Sequence, residues 1–133
     1  MFIDEGNYTV PVPSNAPGIN IWAPIKISAT PGRVKLTSST SFAISISTEN
    51  SPVEDVTIYG LTLDGENKPF SVGRPGLIRS RTANRLNISN CFFINSSMSG
   101  IDLEYVAGNI SNNEFYYTRF TPKSENPYVK RHG

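Results

Sequence analysis

The chain has 133 residues, a formal net charge of +1 and 38% hydrophobic residues, which suffices for one domain with a modest core. A charge so close to zero gives no electrostatic basis for binding nucleic acid or an acidic membrane face. No run approaches the roughly 20 apolar residues of a membrane-spanning helix. Ten glycines and ten prolines predict many turns and few long helices.

The N-terminal part predicts short strands separated by turns. Residues 5–10 have the pattern of a strand entered through a glycine turn. Apolar residues alternate over residues 19–27, where Pro24 divides the stretch into two short pieces. Alternation with a period of two resumes at residues 34–36 and 42–46, which favours strands over helices.

The clearest pattern is a segment that occurs three times. The copies are Val56-Thr-Ile-Tyr-Gly-Leu-Thr-Leu63, Leu86-Asn-Ile-Ser-Asn-Cys-Phe-Phe93 and Gly108-Asn-Ile-Ser-Asn-Asn-Glu-Phe115. Ile58, Ile88 and Ile110 occupy the same place in each copy, at intervals of 88 − 58 = 30 and 110 − 88 = 22 residues. Leu63, Phe93 and Phe115 are equivalent in the same way. Short strands recurring at such intervals are typical of repeat proteins in which each turn of the chain stacks on the last.

Each copy contains a predicted bend. Gly60, Asn90 and Asn112 take the same place after the first strand, and Gly and Asn tolerate the left-handed backbone that a sharp bend requires. Cys91 follows the second bend where the first copy has Leu61, so we predict a small core residue. As the single cysteine, it excludes an internal disulfide.

Further strands are predicted to begin at Gly76 and Gly100, at equivalent places in two coils. The repeat pattern ends near Tyr117, so residues 1–117 are predicted to form the stacked coils and residues 118–133 an irregular tail. A short stack leaves unpaired backbone on its terminal strands. We therefore predict a protein that is either marginally stable or self-associates through its uncapped ends.

The segments Gly60-Leu-Thr-Leu-Asp-Gly65, Leu86–Phe93 and Gly100-Ile-Asp-Leu-Glu104 resemble the right-handed parallel β-helix, pectin-lyase-like superfamily. In style they are most similar to uncharacterised bacterial repeat proteins exported by the twin-arginine route. The resemblance implies an all-β, right-handed parallel β-helix of about four coils. Because the exported members are longer, it also implies a fragment of a longer helix.

The resemblance suggests a periplasmic or extracellular location. The first residues, Met1-Phe-Ile-Asp-Glu-Gly6, lack the basic and then apolar order of a signal peptide, so none is predicted in this chain. The sequence leaves the compartment open.

Two kinds of catalysis follow from the resemblance. Lyases of this superfamily combine a carboxylate-bound Ca²⁺ with an arginine base, and hydrolases use carboxylates on neighbouring coils. Asp102 and Glu104 alternate with apolar residues, so both are predicted to face outward, about 7 Å apart by strand rise. Arg79 and Arg81 are predicted to face outward one coil earlier. These four are the candidate catalytic residues, and Asp102 and Glu104 the candidate Ca²⁺ ligands.

Simpler interpretations are available for each candidate. Arg79 or Arg81 can form surface ion pairs with Asp102 or Glu104, and we favour this interpretation. Asp64 precedes a glycine and is predicted to form a turn. Tyr59 is the candidate for substrate binding, as a flat ring on which a sugar could stack, and the simpler interpretation, which we favour, is packing in the core or against a loop. His132 is the single histidine and lies in the predicted tail, which argues against a histidine-based triad or zinc site.

The sequence therefore predicts a non-catalytic repeat protein or fragment, structural or carbohydrate-associated, with polysaccharide as its partner and no cofactor. One alternative is a polysaccharide lyase, with Ca²⁺ as its cofactor, or a glycoside hydrolase. Another is a segment of a phage tail-spike or an adhesin-type fibre. Fold similarity alone does not decide between them.

Overall fold

The computed structural model describes residues 1–10, 18–38, 44–48, 51–68, 76–97 and 99–116. These residues form eleven strands and no helix, which confirms the all-β prediction. The predicted tail, residues 118–133, and Tyr117 lie outside the described residues. The strands are β1 (Gly6–Val10), β2 (Ile19–Ile21), β3 (Ile25–Ser28), β4 (Val34–Ser38), β5 (Ile44–Ile46), β6 (Val53–Tyr59), β7 (Leu61–Asp64), β8 (Gly76–Ser89), β9 (Phe92–Ile94), β10 (Ser99–Ser111) and β11 (Glu114–Tyr116).

The described strands form two sheets, and every strand pair is parallel. One sheet has the order β1-β4-β7-β9-β11. In the other, β5 and β6 pair with successive halves of one edge of β8, while β10 runs along its opposite edge. β2 and β3 continue this sheet beyond β5 and β6. Because parallel strands cannot be joined by tight hairpins, the chain crosses to the other sheet between neighbouring passes.

The register of the sheets confirms the predicted equivalence of the copies. Ile58 pairs with Ile88 and Ile88 with Ile110, and the same column begins one strand earlier at Ile27. We call these four residues the isoleucine column. Leu63, Phe93 and Phe115 form a second column in the other sheet, preceded by Leu36 and Tyr8.

Left-handed residues mark the bends, as predicted. The φ angles are +81° at Gly60, +54° at Asn90 and +55° at Asn112. A Cβ atom at Gly60 would lie 2.0 Å from the carbonyl oxygen of Ala29. Only a residue without a side chain allows this close approach of the backbones.

A further bend lies within β8 and β10 and was not predicted. Thr82 and Arg85 in β8 and Tyr105 in β10 also have positive φ angles, of 67°, 53° and 55°. A left-handed conformation is unusual for a β-branched residue such as Thr82. These residues turn both long strands and curl the sheet around the core.

The core lies between the two sheets. Ile58, Ile88 and Phe93 are fully buried, and the Phe93 and Phe115 rings stack with centroids 4.8 Å apart at an interplanar angle of 10°. This distance equals the spacing of neighbouring strands. Apolar rings and branched chains thus meet equivalent side chains from strand to strand.

Cys91 is buried in this core, as predicted. Burial raises the pKa of its thiol to about 11. Its Sγ lies 3.8 Å from the carbonyl oxygen of Ile58. Asn113 occupies the equivalent place one strand later, and its Nδ2 donates a 2.9 Å hydrogen bond to the carbonyl oxygen of Ile88.

One detail of the predicted register was wrong by one residue. Gly76 pairs with Ser99, not with Gly100, because Ile78 pairs with Ile101. The turn predicted at Asp64-Gly65 is present and extends beyond the glycine. Its central residues are Glu66 and Asn67, with φ angles of 51° and 57°, and the Lys68 N–H donates a hydrogen bond to the Gly65 carbonyl oxygen at 2.9 Å.

Candidate functional site

The four predicted catalytic residues lie on the outer face of β8 and β10. Ile78 and Ser80 are buried at 0% and 1% exposure, so the alternating Arg79 and Arg81 face outward, as expected. Asp102 is in register with Arg79, and Glu104 is in register with Arg81. The sheet therefore brings all four residues together, each arginine beside one carboxylate on the neighbouring strand.

Arg79 forms an ion pair with Asp102, and Arg81 forms one with Glu104. We call these two ion pairs the charged pairs. Arg79 Nε lies 3.5 Å from Asp102 Oδ2, and Arg81 Nε lies 3.6 Å from Glu104 Oε2. The Arg79 side chain is 12% exposed and that of Arg81 is 59% exposed. The Arg79 side chain is therefore largely shielded from water while its partner Asp102 is 36% exposed, and the second pair is an ordinary surface pair.

The pairing limits the chemistry of this face. Ser45 and Asn20 continue the Arg79 column toward the N-terminal end, so that column holds one carboxylate, Asp102. Both carboxylates lie on the single strand β10, and each is compensated by its own guanidinium. Among the described residues, no group of three or more His, Cys, Asp or Glu side chains could hold a metal ion.

Asp64 has structural contacts that fit the predicted turn. Its Oδ1 accepts hydrogen bonds from the Glu66 backbone N–H at 2.8 Å and from Asn95 Nδ2 at 3.1 Å. Lys35 Nζ lies 3.5 Å from its Oδ2. These contacts tie the turn to the strands on either side.

A third charged cluster was missed by sequence reasoning. Arg85 Nε donates to Asp55 Oδ1 at 2.6 Å, and its Nη2 donates to Asp55 Oδ2 and to Glu54 Oε1, both at 3.0 Å. The hydrogen bond from Arg85 lowers the pKa of the Asp55 carboxyl. A signal was present, because Asp55 and Arg85 each lie three residues before an isoleucine of the column and carry opposite charges.

Tyr59 lies apart from the charged pairs, beyond the bend at Thr82 and Arg85. It is half-buried on the outer side of β6 and lines an open groove of about 420 Å³. We call this the Tyr59 groove. Its lining residues are Phe2, Lys26, Ser28, Ala29, Thr30, Pro31, Thr57 and Tyr59.

Comparisons with protein-family models, with curated proteins and with solved structures find no match to this chain. Within the described part of the chain, no helix has the length and apolar character needed to cross a membrane.

Proposed function

We propose that the chain is a right-handed parallel β-helix repeat protein or fragment with a structural, carbohydrate-associated role and no catalysis of its own. Four successive parallel strands in register, from Ile27 to Ile110, support the helix. Right-handed crossovers are the rule when parallel strands of one sheet are connected, which supports the handedness. An exported bacterial origin remains a prediction from the resemblance.

The non-catalytic part of the proposal rests on the charged pairs. A lyase needs an arginine that can reach a substrate proton, and a bound cation that neutralises the substrate carboxylate. Here Arg79 and Arg81 each face a carboxylate of the same molecule. These contacts account for the charges as elements that join β8 to β10.

Incubation with polyuronates and Ca²⁺ tests this part of the proposal. We expect no absorbance from unsaturated products. Activity that disappears in Arg79→Gln and persists in Arg33→Gln would instead establish the lyase alternative. Arg33 is a suitable control because it forms an exposed pair with Glu5 away from this face.

Polysaccharide sedimentation tests the carbohydrate association. We expect the protein to pellet together with the polysaccharide.

Light scattering during size-exclusion chromatography tests the fibre alternative, because an obligate trimer would have three times the monomer mass at every concentration.

A further inference from the structure

The large hydrophobic side chains that are exposed among the described residues lie at the two ends of the stack. We call the described residues among 1–38 the N-terminal end and residues 99–116 the C-terminal end. The exposed side chains are Met1, Phe2, Tyr8 and Trp22 at the N-terminal end and Tyr105, Ile110 and Tyr116 at the C-terminal end. On the described part of the interior coils, from β5 to β9, no large hydrophobic side chain is exposed. Apolar surface confined in this way marks a contact with another molecule.

Both ends also have strand edges that no other described strand covers. At the C-terminal end, β10 pairs with β8 on one edge and β11 pairs with β9 on one edge. At the N-terminal end, β1 and β2 are the outermost described strands of their sheets. An edge of this kind is a template to which a strand of another chain can add.

One corner of the stack carries an aromatic ring at each end. Ile21 and Leu103 belong to one column, which runs through β5 and β8. Trp22 follows Ile21 directly and Tyr105 follows Leu103 by two residues, so both rings lie at this corner. They are 64% and 80% exposed, and Trp22 lines an open groove of about 310 Å³ with mainly apolar neighbours. The two rings of different copies meet only when the C-terminal end of one copy faces the N-terminal end of the other.

The two ends differ in charge. The C-terminal end contains Asp102, Glu104 and Glu114 and no lysine or arginine, which gives a side-chain charge of 0 − 3 = −3. Residues 1–38 contain three lysines or arginines and two acidic residues, which gives 3 − 2 = +1. Two C-terminal ends therefore repel each other, whereas a C-terminal end and an N-terminal end attract.

We infer that copies of this chain associate head to tail, with the C-terminal end of one copy on the N-terminal end of the next. The ring of Tyr105 enters the groove beside Trp22 of the neighbouring copy. The strands stay parallel across this contact, as all described strand pairs are within the chain. Because the contact joins two different surfaces along the stack, each added copy leaves one end free and the assembly grows as an open filament. This inference does not depend on the proposed carbohydrate role.

Light scattering at rising protein concentration tests the inference. We expect the mean mass to rise past twice the monomer mass without a plateau, and to fall when salt is added, because the attraction between the ends is partly electrostatic. A plateau at twice the monomer mass, or at any other fixed mass, would overturn the head-to-tail arrangement. The monomer mass at every concentration would overturn the contact altogether, and is the result expected if residues 117–133 covered β10.

Two variants that each block one end give a sharper test. Tyr105→Lys removes the ring at the C-terminal end, and Trp22→Glu places an acidic group at the N-terminal end. Each variant alone should need a concentration about tenfold higher or more to associate. In an equal mixture they should form a complex of twice the monomer mass and no larger, because each variant supplies the end that the other lacks. A mixture that stays monomeric, or either variant associating alone like the wild type, would overturn the inference.

Matched controls place the same charges away from both ends. Ser51 is exposed on the interior coil between β5 and β6, so Ser51→Lys and Ser51→Glu should associate like the wild-type chain. Circular dichroism checks that each variant keeps its strands. If a blocking variant does not fold, Ile110→Lys replaces it at the C-terminal end and Phe2→Glu at the N-terminal end.

Discussion

Ile88 and Ile110 belong to the same column and have the same side chain, yet their surroundings differ. Ile88 is 0% exposed between β6 and β10, whereas Ile110 is 38% exposed, and β10 has no further strand beside it among the described residues. Burial in this architecture therefore depends on having a neighbour on both sides. Core side chains on interior strands are covered by strands on both sides, whereas those on terminal strands are covered on one side only.

The largest expected effect comes from removing the side chain at these two places. Ile88→Ala should lower the free energy of unfolding by about 2–5 kcal/mol, because it leaves a cavity between two strands. Ile110→Ala should cost about 1 kcal/mol or less, because its side chain is already partly in water. Urea denaturation of the two variants measures the difference. Equal costs would contradict the comparison.

A glycine pair extends the comparison to the backbone. Gly60 and Gly32 have similar φ angles of +81° and +79°, but a Cβ at Gly60 meets Ala29, whereas at Gly32 nothing lies within 4 Å. Gly60→Ala should cost about 2–5 kcal/mol, from left-handed strain and the steric clash together. Gly32→Ala should cost about 1–2 kcal/mol from strain alone. Thermal unfolding of both variants checks this, and similar melting temperatures would argue against the close approach of the strands.

Alkaline pH tests the interior around Cys91. Its folded pKa of about 11 lies above the ordinary value of 9.0, so folding favours the neutral thiol. This contribution, about 3 kcal/mol or less, is fully present below pH 9 and is lost as the pH rises through 11. Cys91→Ala should therefore lose less stability over this interval than the wild-type protein. Tyr116, whose pKa is raised by its hydrogen bond to Glu114, titrates in both proteins, so its effect on stability cancels in the comparison. Parallel pH profiles would refute the burial of the thiol.

The charged pairs should give the smallest effect. Arg79→Gln is expected to cost about 1–2 kcal/mol, because its guanidinium is shielded from water. Arg81→Gln is expected to cost less than about 1 kcal/mol, since its pair is exposed. Chemical denaturation at low and high salt compares them, with greater salt sensitivity expected at Arg81. A larger loss of stability in Arg81→Gln than in Arg79→Gln would contradict the expectation that the less exposed pair contributes more.

The repeat was predictable where the chain marks its bends with the residues that bends require. Gly60, Asn90 and Asn112 fix the frame of three copies, and the isoleucines follow from it. The earlier strand at residues 25–28 belongs to the same column but was missed as a copy. It has Ala29 at the place of Gly60, its left-handed glycine, Gly32, comes three residues later, and Pro24 interrupts the pattern before it.

Other features could not be read from residue type. Thr82 and Tyr105 adopt left-handed conformations that their side chains disfavour, because the curled sheet around the core imposes them. The partners Arg79–Asp102 and Arg81–Glu104 were predictable as a group, since alternation placed all four outward. Their exact pairing and the shielding of Arg79 depend on the register between β8 and β10, which sequence spacing gave only to within one residue.

Methyl NMR of selectively labelled isoleucines tests the central claim most directly. The in-register stack predicts cross-relaxation from Ile27 to Ile58, from Ile58 to Ile88 and from Ile88 to Ile110, with much weaker transfer between residues two strands apart. Ile88 methyl groups that contact neither Ile58 nor Ile110 would contradict the stacking of these strands.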